Sequence, residues 1–183
     1  MKFQIHAQLF LYFILISGCT APAPRIFPPP SASITYDVGN GYYESLAIDY
    51  WEPSVDICFS LNIIDAYPYS DWLPVATLIL YDKEEKTNFR LFLTPTEENK
   101  LILMTDLNFQ DSEANSAIPL RDNLEFGKSY SFKYSFIDNN KIDIKLFNRK
   151  VTFEIPFNPE KLVLSASGVK AHMTYSTHEC FLM

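Results

Sequence analysis

The sequence predicts an all-β fold, an antiparallel β-sandwich. Three observations predict it. Apolar and polar residues alternate with period two, most plainly Tyr130, Phe132, Tyr134 and Phe136 against Ser129, Ser131, Lys133 and Ser135. Such runs recur at separations of about ten residues, the rhythm of strands and turns in sandwiches and barrels. Long helical periodicity is nearly absent. The chain of 183 residues holds one domain with further segments ahead of it. Fifteen Phe, eleven Tyr and two Trp exclude wholesale disorder, and only five Gly exclude a collagen-like chain. Lys and Arg number 15 against 22 Asp and Glu, a formal charge of −7 that repels phosphate backbones, so nucleic acid is not an expected partner.

Residues 1–18 read as a leader. Lys2 and the free amine form a small positive region, and Leu9 to Ile16 is an unbroken apolar run. The run is too short to cross a hydrocarbon core of ~30 Å as a helix, but it suits the apolar part of a signal peptide. It ends in Ile16-Ser17-Gly18-Cys19, which resembles the bacterial lipoprotein lipobox: an aliphatic residue, two small ones, then cysteine. The resemblance implies cleavage after residue 18 and lipidation of Cys19, whose acyl chains, such as palmitate, would moor the protein to a bilayer in the bacterial cell envelope. In that family an Asp after the cysteine retains the protein at the inner membrane, so Thr20 implies the outer membrane of a Gram-negative host. The competing reading is an ordinary secretory signal with a chance cysteine.

Residues 19–33 read as a linker. They hold Pro22, Pro24, Pro28, Pro29 and Pro30, which fix φ and lack an N–H, so the segment cannot join a helix or a central strand. Extended at ~3.1 Å per residue, it spans about 40 Å. A spacer holding a domain clear of lipid headgroups is the expected role; a peptide ligand for an aromatic groove is the alternative.

Residues 34–183 read as the sandwich domain. Strand candidates run in order through Ser33–Val38, Tyr43–Tyr50, Ile57–Ile63, Ala76–Tyr81, Phe89–Leu93, Lys100–Thr105, Leu162–Ala166 and Ala171–Ser176. Between the last two and the rest lies the clearest hairpin. Tyr130–Phe136 is followed by Asp138-Asn139-Asn140, whose side chains tolerate left-handed backbone. Ile142, Ile144 and Leu146 resume the alternation, then Val151, Phe153 and Ile155. Ser112–Leu124, with Pro119 and two Asn, reads as a loop with at most a turn of helix.

Cys58 and Cys180 remain after Cys19. Export to an oxidising compartment favours a bridge between them, which the chain-entropy model values at up to ~4–5 kcal/mol for so long a loop. Cys58 shares the parity of Asp56 and Ser60, off the main core face, where a returning C-terminal segment could meet it. Two buried free thiols are the alternative.

Catalytic signatures are missing. There is no CxxC, HExxH, GxSxG or Gly-rich phosphate loop. His172 reads as an ordinary sheet residue and His178 as a chain-end residue; neither predicts a metal site, and no cofactor is expected. Glu84-Glu85, Glu97-Glu98, and Asp106 with Asp111 and Glu113 form loose carboxylate groups. The last could ligate Ca²⁺ but lacks the spacing of a calcium loop, so a solvated acidic loop is expected. Loop aromatics are the better clue. Tyr67, Tyr69 and Trp72 surround turn formers, and flat rings beside Asp71 suit sugar rings. Tyr42, Tyr43 and Trp51 are similar. The bland alternative is that these rings cap the ends of the sandwich.

The strand series resembles the concanavalin A-like, or laminin G-like, sandwich superfamily. The resemblance rests on Pro74–Tyr81, Phe89–Leu93, Leu101–Leu103, Gly127–Phe132, Lys141–Leu146 and Leu162–Gly168, the last similar to the strand that closes such domains. It implies a jelly-roll sandwich and surface binding, but no site: the Glu-x-Asp-x-Glu strand of that superfamily's glucanases is absent. The functional expectation is a membrane-anchored, non-catalytic binding module for a glycan or an envelope protein. A structural accessory lipoprotein of an envelope complex is the alternative, and a glycosidase the third.

Overall fold

The computed structural model describes residues 31–39, 41–49, 56–67, 73–109, 117–138 and 140–177. The leader, Cys19 and the tether up to Pro30 lie outside these residues. The first four strands are β1 (Ser31–Asp37), β2 (Tyr43–Asp49), β3 (Ile57–Ala66) and β4 (Val75–Tyr81). Next come β5 (Thr87–Pro95), β6 (Leu101–Phe109), β7 (Ile118–Leu124) and β8 (Tyr130–Asp138). The last four are β9 (Lys141–Leu146), β10 (Arg149–Glu154), β11 (Lys161–Ser167) and β12 (Val169–Ser176). They form two antiparallel six-stranded sheets, one in the order β1-β12-β3-β8-β9-β10 and the other β2-β11-β4-β5-β6-β7. The predicted sandwich is the observed one.

The alternation predicts the inner faces. Phe59, Leu61, Phe132, Tyr134, Ile142, Ile144 and Met173 line the first sheet; Leu78, Leu91, Leu93, Leu103 and Leu164 line the second. Burial of each large aliphatic or aromatic side chain contributes about 1.5–3 kcal/mol, and the two layers interlock through Phe89 and Phe153, ring centroids 5.4 Å apart. At the middle of the second sheet, β4 and β11 are buried on both faces, with Ile79 and Val163 inaccessible as well. That is why Ala76–Tyr81 reads as a continuous apolar run rather than an alternating one. The predicted hairpin is present: Phe132 pairs with Leu146, Tyr134 with Ile144, and Asn140 N donates to Asp138 Oδ1 at 3.1 Å.

Two boundaries differ from expectation. Ser31–Ser33, read as the end of the linker, belong to β1, where Ser31 pairs with Ser176. The segment read as a loop around Pro119 contains β7. Proline is tolerated there because β7 is the edge of its sheet, so the missing N–H removes no bond from an inner ladder. Register shifts against β6 near Leu103 further relax the pairing. The strand Leu162–Ser167, expected to close the domain, instead lies between β2 and β4.

Gly168 alone separates β11 from β12, and these strands belong to different sheets. Its φ is +58°, and a Cβ there would sit 3.5 Å from Pro74 Cα. Only glycine takes this corner without strain. The connections β1–β2, β3–β4, β5–β6, β7–β8, β9–β10 and β11–β12 all gather at this end of the sandwich, while residue 31 and Ser176 lie at the other.

The Tyr134 hydroxyl is buried with no hydrogen-bond partner among the described residues, and burial pushes its pKa well above the usual tyrosine value. Tyr134→Phe removes an unsatisfied polar group, so it should stabilise the domain by about 1 kcal/mol in urea unfolding. A raised folded-state pKa gives stability that is complete below the unfolded value near 10 and lost above it. Above that pH the variant should therefore lose stability less steeply than the parent.

Candidate functional site

The loop end carries a cleft of about 670 Å³. Ile64 and Asp65 at the end of β3 form one wall, Pro74 stands before β4, Pro95 ends β5, Glu97 comes from the β5–β6 turn, and Phe126 comes from the β7–β8 turn. Each wall has a local cause. The register between β3 and β12 slips at Lys170/Ala171, so Asp65 pairs with Lys170 and Ile63 with Ala171, and Ile64 is the extra residue. This bulge leaves Ile64 44 % exposed at the rim rather than in the core. The β5–β6 turn is closed by Thr96 N to Lys100 O at 2.8 Å, with Asn99 in left-handed backbone at φ 56°. The β7–β8 turn is tied to β3 by Gly127 N to Ile63 O at 2.8 Å. Tyr130 Oη accepts from Glu125 N at 2.6 Å, which fixes the approach to Phe126.

Of the three predicted ligand-binding aromatics, the structure describes Tyr67. Its N–H donates to Gly168 O at 2.8 Å and its hydroxyl donates to Asp37 Oδ1 at 2.6 Å, which raises the phenol's pKa. Tyr67 thus ties the start of the β3–β4 loop to the Gly168 corner and to β1. Tyr69 and Trp72 lie outside the described residues, within the loop that Tyr67 opens and Pro74 closes. Tyr42 and Tyr43, 71 % and 52 % exposed, lie at the same end of the sandwich; Trp51 lies outside the described residues. Sequence reading missed Pro95, Glu97 and Phe126, which come from the end of β5 and from two separate turns. Nothing local in the sequence joins them, although the positive φ of Asn99 and Gly127 marks the tight turns that bring them in.

The carboxylate groups are differently employed. Asp106, expected in a solvated acidic loop, lies in β6 with 4 % of its side chain exposed. It faces Arg90 across the sheet and binds the guanidinium through both oxygens, with Arg90 Nε to Oδ1 at 2.7 Å. That pairing is what keeps Asp106 inside the sheet rather than in a solvated loop: a carboxylate so buried needs a fixed counter-charge. Asp111 and Glu113 lie outside the described residues. Glu84 pairs with Lys86 and Glu85 with Lys161. No group of three metal-ligating side chains occurs among the described residues. His172 is a sheet residue, its ring between Thr35 Oγ1 at 3.1 Å and Ser33 Oγ at 3.3 Å. Cys58 has the expected outward parity and is buried opposite Ser176; Cys180 and His178 lie outside the described residues.

No protein-family model matches the chain, and no curated protein matches it. Solved structures do. A carbohydrate-binding module, CBM66, from Bacillus subtilis superposes with a TM-score of 0.50 and 11 % identity, over 79 % of this chain and 91 % of that one. The Crh5 transglycosylase in complex with NAG superposes with a TM-score of 0.54 and 6 % identity, over 81 % of this chain and 73 % of that one. At these identities the likeness is one of fold.

The Arg90–Asp106 pair gives an asymmetric prediction. Arg90 is 35 % exposed and rehydrates when Asp106 is lost, whereas Asp106 cannot when Arg90 is lost. Arg90→Ala should therefore cost about 3–5 kcal/mol in urea unfolding, and Asp106→Ala distinctly less.

Proposed function

We propose that this protein is a lipoprotein of the bacterial cell envelope, moored by acylated Cys19 to the outer membrane, and that its sandwich is a non-catalytic module binding a glycan in the end cleft. One observation carries the reading. The chain enters the domain at residue 31, at the opposite end of β1 from Asp37, which holds Tyr67 beside the cleft. A strand of this length spans about 20 Å, and the tether adds about 40 Å, so the cleft points away from the lipid.

The lining supports a saccharide. Phe126, Pro74 and Pro95 offer apolar surface to the face of a sugar ring, and Asp65 and Glu97 offer acceptors for its hydroxyls. Both carboxylates are exposed to water. A general acid at neutral pH is ordinarily desolvated, so their exposure supports binding without turnover. The fold shared with a carbohydrate-binding module is in keeping with that reading. A Cys58–Cys180 bridge belongs to the same proposal. Its support is the register of Cys58 with Ser176, four residues before Cys180, and a Cys58 that is not free.

On a glycan array the purified protein should bind a saccharide, and Phe126→Ala and Trp72→Ala should each weaken the hit about tenfold or more. Unchanged binding in both variants clears the cleft of the role. Recovery of one envelope complex with no saccharide bound would point instead to the accessory role. Cys19→Ser should move the protein from the membrane to the soluble fraction. Thiol labelling of the denatured, unreduced protein should find no free cysteine, and reduction should expose two.

A further inference from the structure

Phe147 occupies a position that backbone sterics reserve for other residues. β9 and β10 are joined by Phe147 and Asn148 alone, between the paired Leu146 and Arg149. Phe147 has φ 52°, and Asn148 is not among the positive-φ residues. Positive φ at the first of two hairpin residues is ordinarily met by glycine; an aromatic side chain there is strained. Core packing does not account for the choice, because Phe147 is 48 % exposed. Strain of this kind collects at functional positions. The ring is also held in place. Tyr130 meets it edge-on, with centroids 6.1 Å apart, and the Arg121 guanidinium lies 5.6 Å over its centroid. It lines two clefts, one of about 290 Å³ reaching Ser129, Ser131 and Lys145, the other of about 260 Å³ that Arg121 and Arg149 also line.

Charge singles out the same place. Eight of the described Lys and Arg residues are in ion pairs with carboxylates. Among the described residues, Lys83, Lys100, Arg121, Lys145 and Arg149 have no such partner. Three of these five line the clefts around Phe147, in a chain whose formal charge is −7. Among the described residues, no carboxylate lines either cleft.

We propose that the Phe147 tip is a second ligand site and that it takes an acidic saccharide. The apolar face of a sugar ring rests on Phe147, and a carboxylate or sulfate on that ring is met by Arg149, Arg121 and Lys145. Guanidinium forks match such oxyanions in a bidentate way. A neutral sugar leaves the three cations without a counter-charge. The tip lies at the loop end of the sandwich, away from residue 31, so the bilayer holding a tether does not face it. The inference does not depend on the end cleft being a saccharide site.

Titration calorimetry on the full chain in mild detergent tests it, with trigalacturonate, a chondroitin sulfate tetrasaccharide, maltotriose and short-chain phosphatidylglycerol as probes. At least one acidic saccharide should bind, more weakly as salt rises, and maltotriose should not compete with it. Arg149→Gln and Lys145→Gln should each weaken binding about tenfold. Phe147→Asn should do the same while keeping the fold, because Asn tolerates this φ; Phe126→Ala in the end cleft should leave it unchanged. Binding of neither acidic saccharide, equal affinity for maltotriose, unaltered affinity in the three variants, or equal affinity for phosphatidylglycerol would each overturn the proposal, the last in favour of a lipid headgroup.

Discussion

The corner at Gly168 is the constraint on which the rest of the molecule depends. β11 and β12 are inner strands of different sheets, and one residue joins them. The change of sheet must therefore happen within a single peptide turn, at a φ of +58° and where any Cβ would meet Pro74. Once it is made, β12 takes up its places between β1 and β3, and β11 between β2 and β4. The Gly168 carbonyl accepts from Tyr67 N. So the residue that couples the two sheets also anchors the loop beside the cleft.

This corner gives the sandwich two unlike ends. One receives the chain at residue 31 and pairs it with the end of β12. The other gathers six short connections, and it carries both the end cleft and the Phe147 tip. Several of these turns are so short that they require left-handed backbone, at Asn99, Gly127, Phe147 and Gly168. Short turns hold their side chains to the rigid strands, which is how a sheet positions a binding surface on loops. The two candidate sites differ in charge. Asp65 and Glu97 line the cleft, whereas Arg121, Lys145 and Arg149 surround the tip. A small acidic domain can thus present opposite preferences on one end.

Most polar groups inside the sheets follow one rule, and Asn62 Oδ1, Asn88 Oδ1 and the Tyr134 hydroxyl depart from it among the described residues. Asp106 is buried because Arg90 meets it across the ladder, and Asp143 because Thr152 Oγ1 donates to it at 2.6 Å and Lys150 pairs with it. Those bonds hold the Asp143 carboxyl below its usual pKa. Of these Tyr134 is the most deeply placed, its ring filling the core while its hydroxyl finds no partner among the described residues. The aromatic volume, not the polar handle, keeps it in place.

The sandwich was legible in the sequence because a pleated strand exposes alternate residues to opposite environments, and Tyr130–Phe136 or Ile142–Leu146 record that directly. The central strands were legible from continuous apolar runs, as in Ala76–Tyr81. β7 was not, because Pro119 argues against a strand unless it is known to be an edge, and edge position is a property of the assembled sheet. Asp106 was misread for a related reason: its partner Arg90 is sixteen residues away and becomes its neighbour only through the β5–β6 register. The loop aromatics drew notice by composition, yet the walls of the cleft come from turns far apart in the chain. By itself the sequence determined the strands other than β7 and their inner faces, since each is written in neighbouring residues. Strand order, the Gly168 corner, the bulge at Ile64 and the cations left unpaired around Phe147 were decided by tertiary structure, because each depends on which distant strands come to lie side by side.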